Sequence, residues 1–212
     1  MYINSLPDLL EKSAKLHRHL CPRQVLGVRM GLAAGELLNI DLPQRSKQLY
    51  TITETDGCAT DGISVATNCW IGGRNLWVED FGKVAATFIN SLTHEAIRIV
   101  PRPECRQQAF NYAQEASNRW EAQLTGYQRM PMDELFYMQP VKLIKPLEDW
   151  ISQPWRKAIC DGCAEEINNG REVRDNEMVL CRACAGEAYY HRRISVLHPI
   201  QTEANFLEVD ER

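Results

Sequence analysis

Two clusters of cysteine and histidine in this 212-residue sequence are arranged for metal or thiol chemistry. Towards the C-terminal end, Cys160-x2-Cys163 is followed after seventeen residues by Cys181-x2-Cys184. A Cys-x-x-Cys pair brings two thiolates to one ion, and two such pairs complete a tetrahedral four-thiolate shell for zinc. Four thiolates leave no coordination position open, so the expected zinc is structural and not catalytic. A domain this small buries too little core to fold without its metal. The second cluster is His17-Arg18-His19-Leu20-Cys21-Pro22. Two histidines and a cysteine at i, i+2 and i+4, in a tight link ended by Pro22, can turn to one point. Thiolate plus imidazole is a donor set for zinc and other borderline-soft metals. Cys21 stands at the start of the next helix, where the dipole and free N–H groups favour thiolate. Cys58 and Asp61, three apart at the start of another helix, offer a complementary element, with Cys69 eight residues on.

The helices and strands that carry these clusters are legible from periodicity. Leu6, Leu9, Leu10, Ala14 and Leu16 recur at helical spacing, which predicts a helix over 5–18. Pro22 suits the first turn of a second helix running to about Leu38. That helix carries Gly27, Gly31 and Gly35 on one face, which predicts close packing against another backbone. Alternation over 47–54 predicts a strand, and a short apolar helix follows to about Asn68. Strands are expected over 76–79, 84–90 and 96–100, a long helix over 104–124, and a short helix from Pro131. Helices first, then strands and helices with short connections, predict an α+β fold with helices packed on a mostly antiparallel sheet.

Three regions are expected: a core domain over 1–144, a linker over 145–157, and a zinc-ribbon domain with its tail over 158–212. The linker holds Pro146, Trp150, Pro154 and Trp155, which reads as an ordered segment with two buried rings. Inside the ribbon, 172–174 and 178–180 form a hairpin through Asp175-Asn176. A helix starting after Cys184 would complete a treble-clef arrangement. Cys105 is an ordinary, partly buried thiol on a helix.

Composition bounds the function. Hydrophobic residues make up 44% and charged residues 25%, as in a soluble globular protein. The N-terminus lacks the pattern of a signal peptide, and no apolar run is long enough to span a bilayer, so a cytoplasmic protein is expected. In that compartment the eight cysteines are metal ligands or reactive thiols and not disulfides. The net charge is −4, and 157–193 holds six basic and seven acidic residues, so nothing resembles the basic footprint of a nucleic-acid binder.

The run 17–22, with Leu26-Gly27-Val28-Arg29-Met30-Gly31 behind it, resembles the start of the FmdE family, proteins related to a component of formylmethanofuran dehydrogenase. The resemblance continues through 54–61, 68–76 and Asp80-Phe81-Gly82-Lys83-Val84-Ala85, and the ribbon resembles the zinc-finger domain of some members. It implies an α+β core with an appended treble-clef-like zinc domain, a homodimer, and a metal-binding pocket. Carried over by position, the pocket residues are His19, Cys21 and Cys58, with His17 and Asp61 beside them; zinc is the expected metal. Lys83 matches the family's glycine–lysine step, and its charge suits an anionic ligand. One departure stands out: Arg23 occupies a position where the family usually has glycine.

Three functions remain open from the sequence. The first is a metal-binding accessory or regulatory protein of formylmethanofuran dehydrogenase-type or other metalloenzyme metabolism. The second is a small-molecule enzyme using Cys21 and Cys58 through a metal or as thiolates. The third is a zinc-ribbon regulator contacting nucleic acid or a partner protein, with the acidic balance arguing against nucleic acid.

Overall fold

The computed structural model describes residues 5–151, 153 and 155–191. Pro154 and the tail 192–212, both assigned above, lie outside the described residues. The chain divides into two compact units, Met1–Ser152 and Gln153–Arg212.

In the first unit, α1 (Leu6–His17) starts at Ser5, whose backbone N–H donates to Asp8 Oδ2 at 2.9 Å while Asp8 N–H donates back to the Ser5 hydroxyl. Arg18 ends this helix in the left-handed region, φ 62°, which turns the chain into the His17–Cys21 link. Helix α2 (Pro22–Leu37) begins with proline in its first turn and Gln24 Oε1 accepting the Cys21 N–H at 2.8 Å. The same buried Gln24 donates Nε2 to the Ser13 carbonyl at 2.8 Å, which ties α2 to α1. Helix α3 (Cys58–Thr67) follows Gly57, whose φ of +82° is open to glycine without strain.

The sheet comprises β1 (Leu49–Thr53), β2 (Leu76–Val78), β3 (Ala86–Asn90), β4 (Ala96–Pro101) and β5 (Phe136–Val141), in spatial order β2-β1-β3-β4-β5. All pairs are antiparallel except β1–β2, and a parallel pair needs a crossover, which α3 supplies. On one face the helices bury Leu9, Val28, Met30, Ile63 and Phe88 in a single core. On the other, Tyr50, Ile52 and Ile89 are covered by Leu147 of α7 (Leu147–Trp150) and by Trp77 and Trp150, whose rings lie 5.8 Å apart. Both faces of β1 are therefore buried.

The structure departs from the expected elements in three places. The predicted helix over 104–124 is two pieces. Helix α4 (Cys105–Gln108) runs into a 3-10 turn, Ala109–Tyr112, and after a break α5 (Arg119–Arg129) starts afresh. Asn118 caps that new start, its Oδ1 accepting the Glu121 N–H at 3.0 Å, a signal hidden inside an apparently continuous apolar pattern. The short helix expected from Pro131 is α6 (Met132–Leu135). Strand β5 follows it, where the sequence reading places no element; as the edge strand it tolerates Pro140, which has no N–H to donate. Of the two tryptophans expected to be buried, Trp150 packs as described, whereas Trp155 is exposed.

Arg29 is a buried cation that sequence periodicity did not single out. Its guanidinium donates to the carbonyls of Tyr127 at 2.7 Å, Gln128 at 2.9 Å and Met130 at 2.7 Å. These are the orphan carbonyls at the C-terminal end of α5, so the arginine caps that helix from α2. Arg29→Met keeps most of the volume and leaves three buried acceptors unpaired. The expected loss is roughly 3 kcal/mol in denaturant unfolding, and an unchanged midpoint would remove the capping role.

In the second unit, β6 (Lys157–Ile159) pairs with β7 (Glu166–Asn168), and β8 (Val173–Asp175) pairs with β9 (Met178–Leu180) through a turn in which Asn176 takes φ 55°. The helix expected after Cys184 is, among the described residues, a single π-type turn, Ala183–Glu187, interrupted by Gly186 at φ 101°.

Candidate metal centre and thiol pocket

The thiol pocket is built by the crossing of α2 and α3. A Cβ added to Gly27 would lie 2.0 Å from the Ala59 carbonyl oxygen, one on Gly62 would lie 2.4 Å from the Gln24 carbonyl oxygen, and one on Gly31 would lie 2.6 Å from Ala66 Cβ. The helices therefore touch backbone to backbone, as the glycine spacing predicted. Residues 24–27 meet 59–63 and Gly31 meets 66–67, so the two helices run in the same direction and start at the same end. Cys21 and Cys58, one at each start, lie close enough for each thiol to act on the other's charge. Burial first, and then the neighbouring Cys21 thiol, push the Cys58 thiol up, while the Arg23 guanidinium pulls it down.

One turn further along α3, the Asp61 carboxylate pairs with His17 Nε2 from the end of α1. His19 stands beside His17, ring centroids 6.2 Å apart and edge to face. Its Nδ1 bonds the His17 carbonyl at 2.9 Å; as the donor there, Nδ1 leaves the Nε2 lone pair for a ligand. The five candidates thus form a thiol pair and a histidine–carboxylate pair with His19 alongside, and no three of them bring ligand atoms within 4.8 Å of one another. Cys69 does not join them. It is fully buried, accepts Gln44 Nε2 at 3.2 Å, and its thiol is pushed up by that burial. Cys105 is likewise a core thiol, 2% exposed.

Lys83 is placed by Glu54, whose carbonyl accepts the N–H groups of both Phe81 and Lys83 at 3.0 Å. The Glu54 carboxylate is itself gripped in bidentate fashion by Arg98, Nε–Oε1 2.6 Å and Nη2–Oε2 2.8 Å. The Lys83 ammonium lies 5.9 Å from the centre of the Phe81 ring. Lys83 lines an adjacent cleft of about 750 Å³ with Pro22, Arg23 and Leu26 of α2.

Among the described residues, only Cys160, Cys163, Cys181 and Cys184 bring three or more metal-ligand atoms within 4.8 Å of one another. A tetrahedral zinc with Zn–S near 2.3 Å requires sulfurs about 3.8 Å apart, and Cys163 Sγ and Cys181 Sγ are 3.9 Å apart. Backbone N–H groups point at the sulfurs: Cys181 N–H to Cys160 Sγ at 3.2 Å, and Cys184 N–H to Cys181 Sγ at 3.4 Å. The Cys181 N–H, helped by those of Cys163 and Gly162, brings Cys160 down to about 6. Contact with Cys181 and then Cys160 holds Cys184 up at about 12. Four crowded thiols cannot all ionise without a cation between them, so the donor set, spacing and N–H groups fit zinc.

The family model described as "FmdE, Molybdenum formylmethanofuran dehydrogenase operon" matches residues 16–137, more than half of the chain. A protein of Archaeoglobus fulgidus, described as a probable S-adenosyl-L-methionine-binding protein, is 26% identical over 208 residues, spanning 88% of this chain and 55% of its own length. The chain therefore spans about half the length of that curated relative. The crystal structure of an FmdE-like protein of the tungsten formylmethanofuran dehydrogenase type, from Syntrophus aciditrophicus, superposes with a TM-score of 0.60. It is 22% identical, and the match covers 89% of this chain and 96% of that one.

Proposed function

The chain belongs to the FmdE family, and on that basis we propose that it is a metal-binding protein, accessory or regulatory to formylmethanofuran dehydrogenase-type or other metalloenzyme metabolism. In this reading it acts in the cytoplasm as a homodimer and engages a protein partner. Among the described residues, no helix is long and apolar enough to cross a membrane. The ribbon zinc is structural. The working site is the pocket of His17, His19, Cys21, Cys58 and Asp61, with Lys83 in the adjoining cleft. Zinc is the metal we assign to it, on the chemistry of two thiols and two imidazoles. The observation that carries the proposal is the convergence of Cys21 and Cys58 at two helix starts with the His17–Asp61 pair one turn away. As the side chains stand, Asp61 holds His17 through Nε2, which leaves His17 Nδ1 and the second Asp61 oxygen as donors. The Cys58 thiol is not poised as a nucleophile, since burial and the neighbouring Cys21 hold it up. That favours the metal-binding reading over a metal-free thiolate enzyme.

Elemental analysis of protein purified without added metal tests the proposal. About two metals per chain are expected, with one lost in Cys21→Ser or Cys58→Ser and the ribbon zinc retained. About one metal per chain in the wild type, unchanged by those substitutions, would overturn the pocket assignment. The name of the archaeal relative raises S-adenosylmethionine as a ligand. That molecule carries net positive charge, and the cationic residues beside the thiols disfavour it. Calorimetric titration of the chain with it is therefore expected to give no saturable heat.

A further inference from the structure

The cleft beside the thiol pocket carries an unusual charge distribution. Its lining includes Arg23, Lys83, Arg102, Arg106 and Arg119, and no Asp or Glu. The five cations come from separate parts of the chain: the first turn of α2, the loop before β3, the segment after β4, α4, and the first residue of α5. Among the described residues none of the five is ion-paired with a carboxylate, whereas Arg98, Arg129, Arg156, Arg174 and Arg182 all are. Arg102 is fixed without neutralisation, its Nε donating to the Asp133 carbonyl at 2.6 Å and its guanidinium stacked 4.1 Å from the Tyr137 ring centre. Its apolar lining includes Leu26, Val84, the buried Cys105 and the buried Tyr127.

Five like charges around one concavity repel each other unless an anion sits between them. The chain as a whole has a net charge of −4, so the cluster is not a sample of a generally basic surface. A concavity of about 750 Å³ has the size of a small-molecule site. We infer that this cleft binds a small, multiply charged oxyanion, one bearing two or more phosphate or carboxylate groups. Arginine forks suit the bidentate recognition of such groups. Arg23 joins the cleft to the thiols, being within electrostatic reach of Cys58. The inference stands on the cleft's own geometry and holds whether or not the neighbouring thiols carry a metal.

The test is calorimetric titration of the full chain with pyrophosphate and with citrate at matched ionic strength, with acetate as the singly charged control. We expect at least one of the two to bind below millimolar concentration and acetate not to bind. The R106Q/R119Q double variant, altered only at exposed side chains, should bind at least tenfold more weakly with an unchanged melting temperature. Binding of pyrophosphate alone, citrate alone, or both upholds the inference and names the class. Cys21→Ser should leave this binding intact, so the cleft and the metal pocket can fail separately. No saturable binding of either anion, or equal binding by the double variant, would overturn it. So would tighter binding of a single-stranded RNA oligomer than of both small anions, because the surface would then be an extended backbone track.

Discussion

Stripping the zinc from the wild-type chain is expected to abolish the ordered structure of residues 155–191 while the first unit keeps its cooperative melting. Among the described residues, the second unit has a buried core of Cys160, Ile167 and Leu180, and strands three residues long. Such a core cannot offset the conformational entropy of ordering the segment. Structural zinc in peptides of this kind supplies on the order of 10 kcal/mol, so its removal dominates every other contact there. The ion pairs Lys157–Glu166, at 2.9 Å, and Arg182–Glu187 lie at the surface and contribute little. Hydrogen exchange at Ile167 and Leu180, before and after a strong chelator, reads the effect directly. Protection should vanish at both residues, return on adding one equivalent of zinc, and be absent in Cys160→Ser under all conditions. Full protection in the metal-free chain would show that the hairpins hold themselves together.

The second large effect is expected from Gly27→Val. The first carbon of the new side chain falls 2.0 Å from the Ala59 carbonyl and 3.0 Å from the Ile63 nitrogen, both backbone atoms of α3. No rotamer change relieves a clash with backbone, so the helices must separate. Overpacking of this kind costs about 3 kcal/mol or more, which for a chain of this size lowers the melting temperature by roughly 10 °C. Two controls make the result specific. At Gly35 the nearest atoms are Leu42 Cδ1 at 2.8 Å, the end of a flexible side chain, and the Ile40 carbonyl oxygen at 3.0 Å, so Gly35→Ala should cost less than Gly27→Val, about 1 kcal/mol. At Gly72 nothing lies within 4 Å, so Gly72→Ala should be silent. Because the same crossing brings Cys21 to Cys58, Gly27→Val should also slow oxidative cross-linking between those two thiols. A Gly27→Val chain that melts with Gly72→Ala would refute the backbone contact.

The separate standing of the two cysteine sets follows from distance along the chain and from what fills the space between ligands. The ribbon closes within a short span of sequence, so its spacing alone specifies a four-sulfur cage. The pocket needs α1, α2 and α3 to meet, with Asp61 holding His17 and Cys21 neighbouring Cys58. Its residue types were legible from the His-x-His-x-Cys run and the Cys58–Asp61 step. Its pairing was not, because it depends on which faces of three helices adjoin.

The four-cysteine cluster, the α+β class, the first two helices and the glycine face of α2 could all be read from the chain before folding, since each is set by local spacing or period. The break at Asn118 could not, because a cap inside a run of helix formers competes with a continuous periodic pattern. Strand β5 stayed hidden because the tolerance for Pro140 belongs to a sheet edge, and edges exist only once strands are ordered. The capping of α5 by Arg29 and the cationic cleft exist only in the packed fold. Arg23, Lys83, Arg102, Arg106 and Arg119 are scattered in sequence, and no period relates them. Charges act through space, so only the packing of α2, α4 and α5 against the sheet brings them around one cavity.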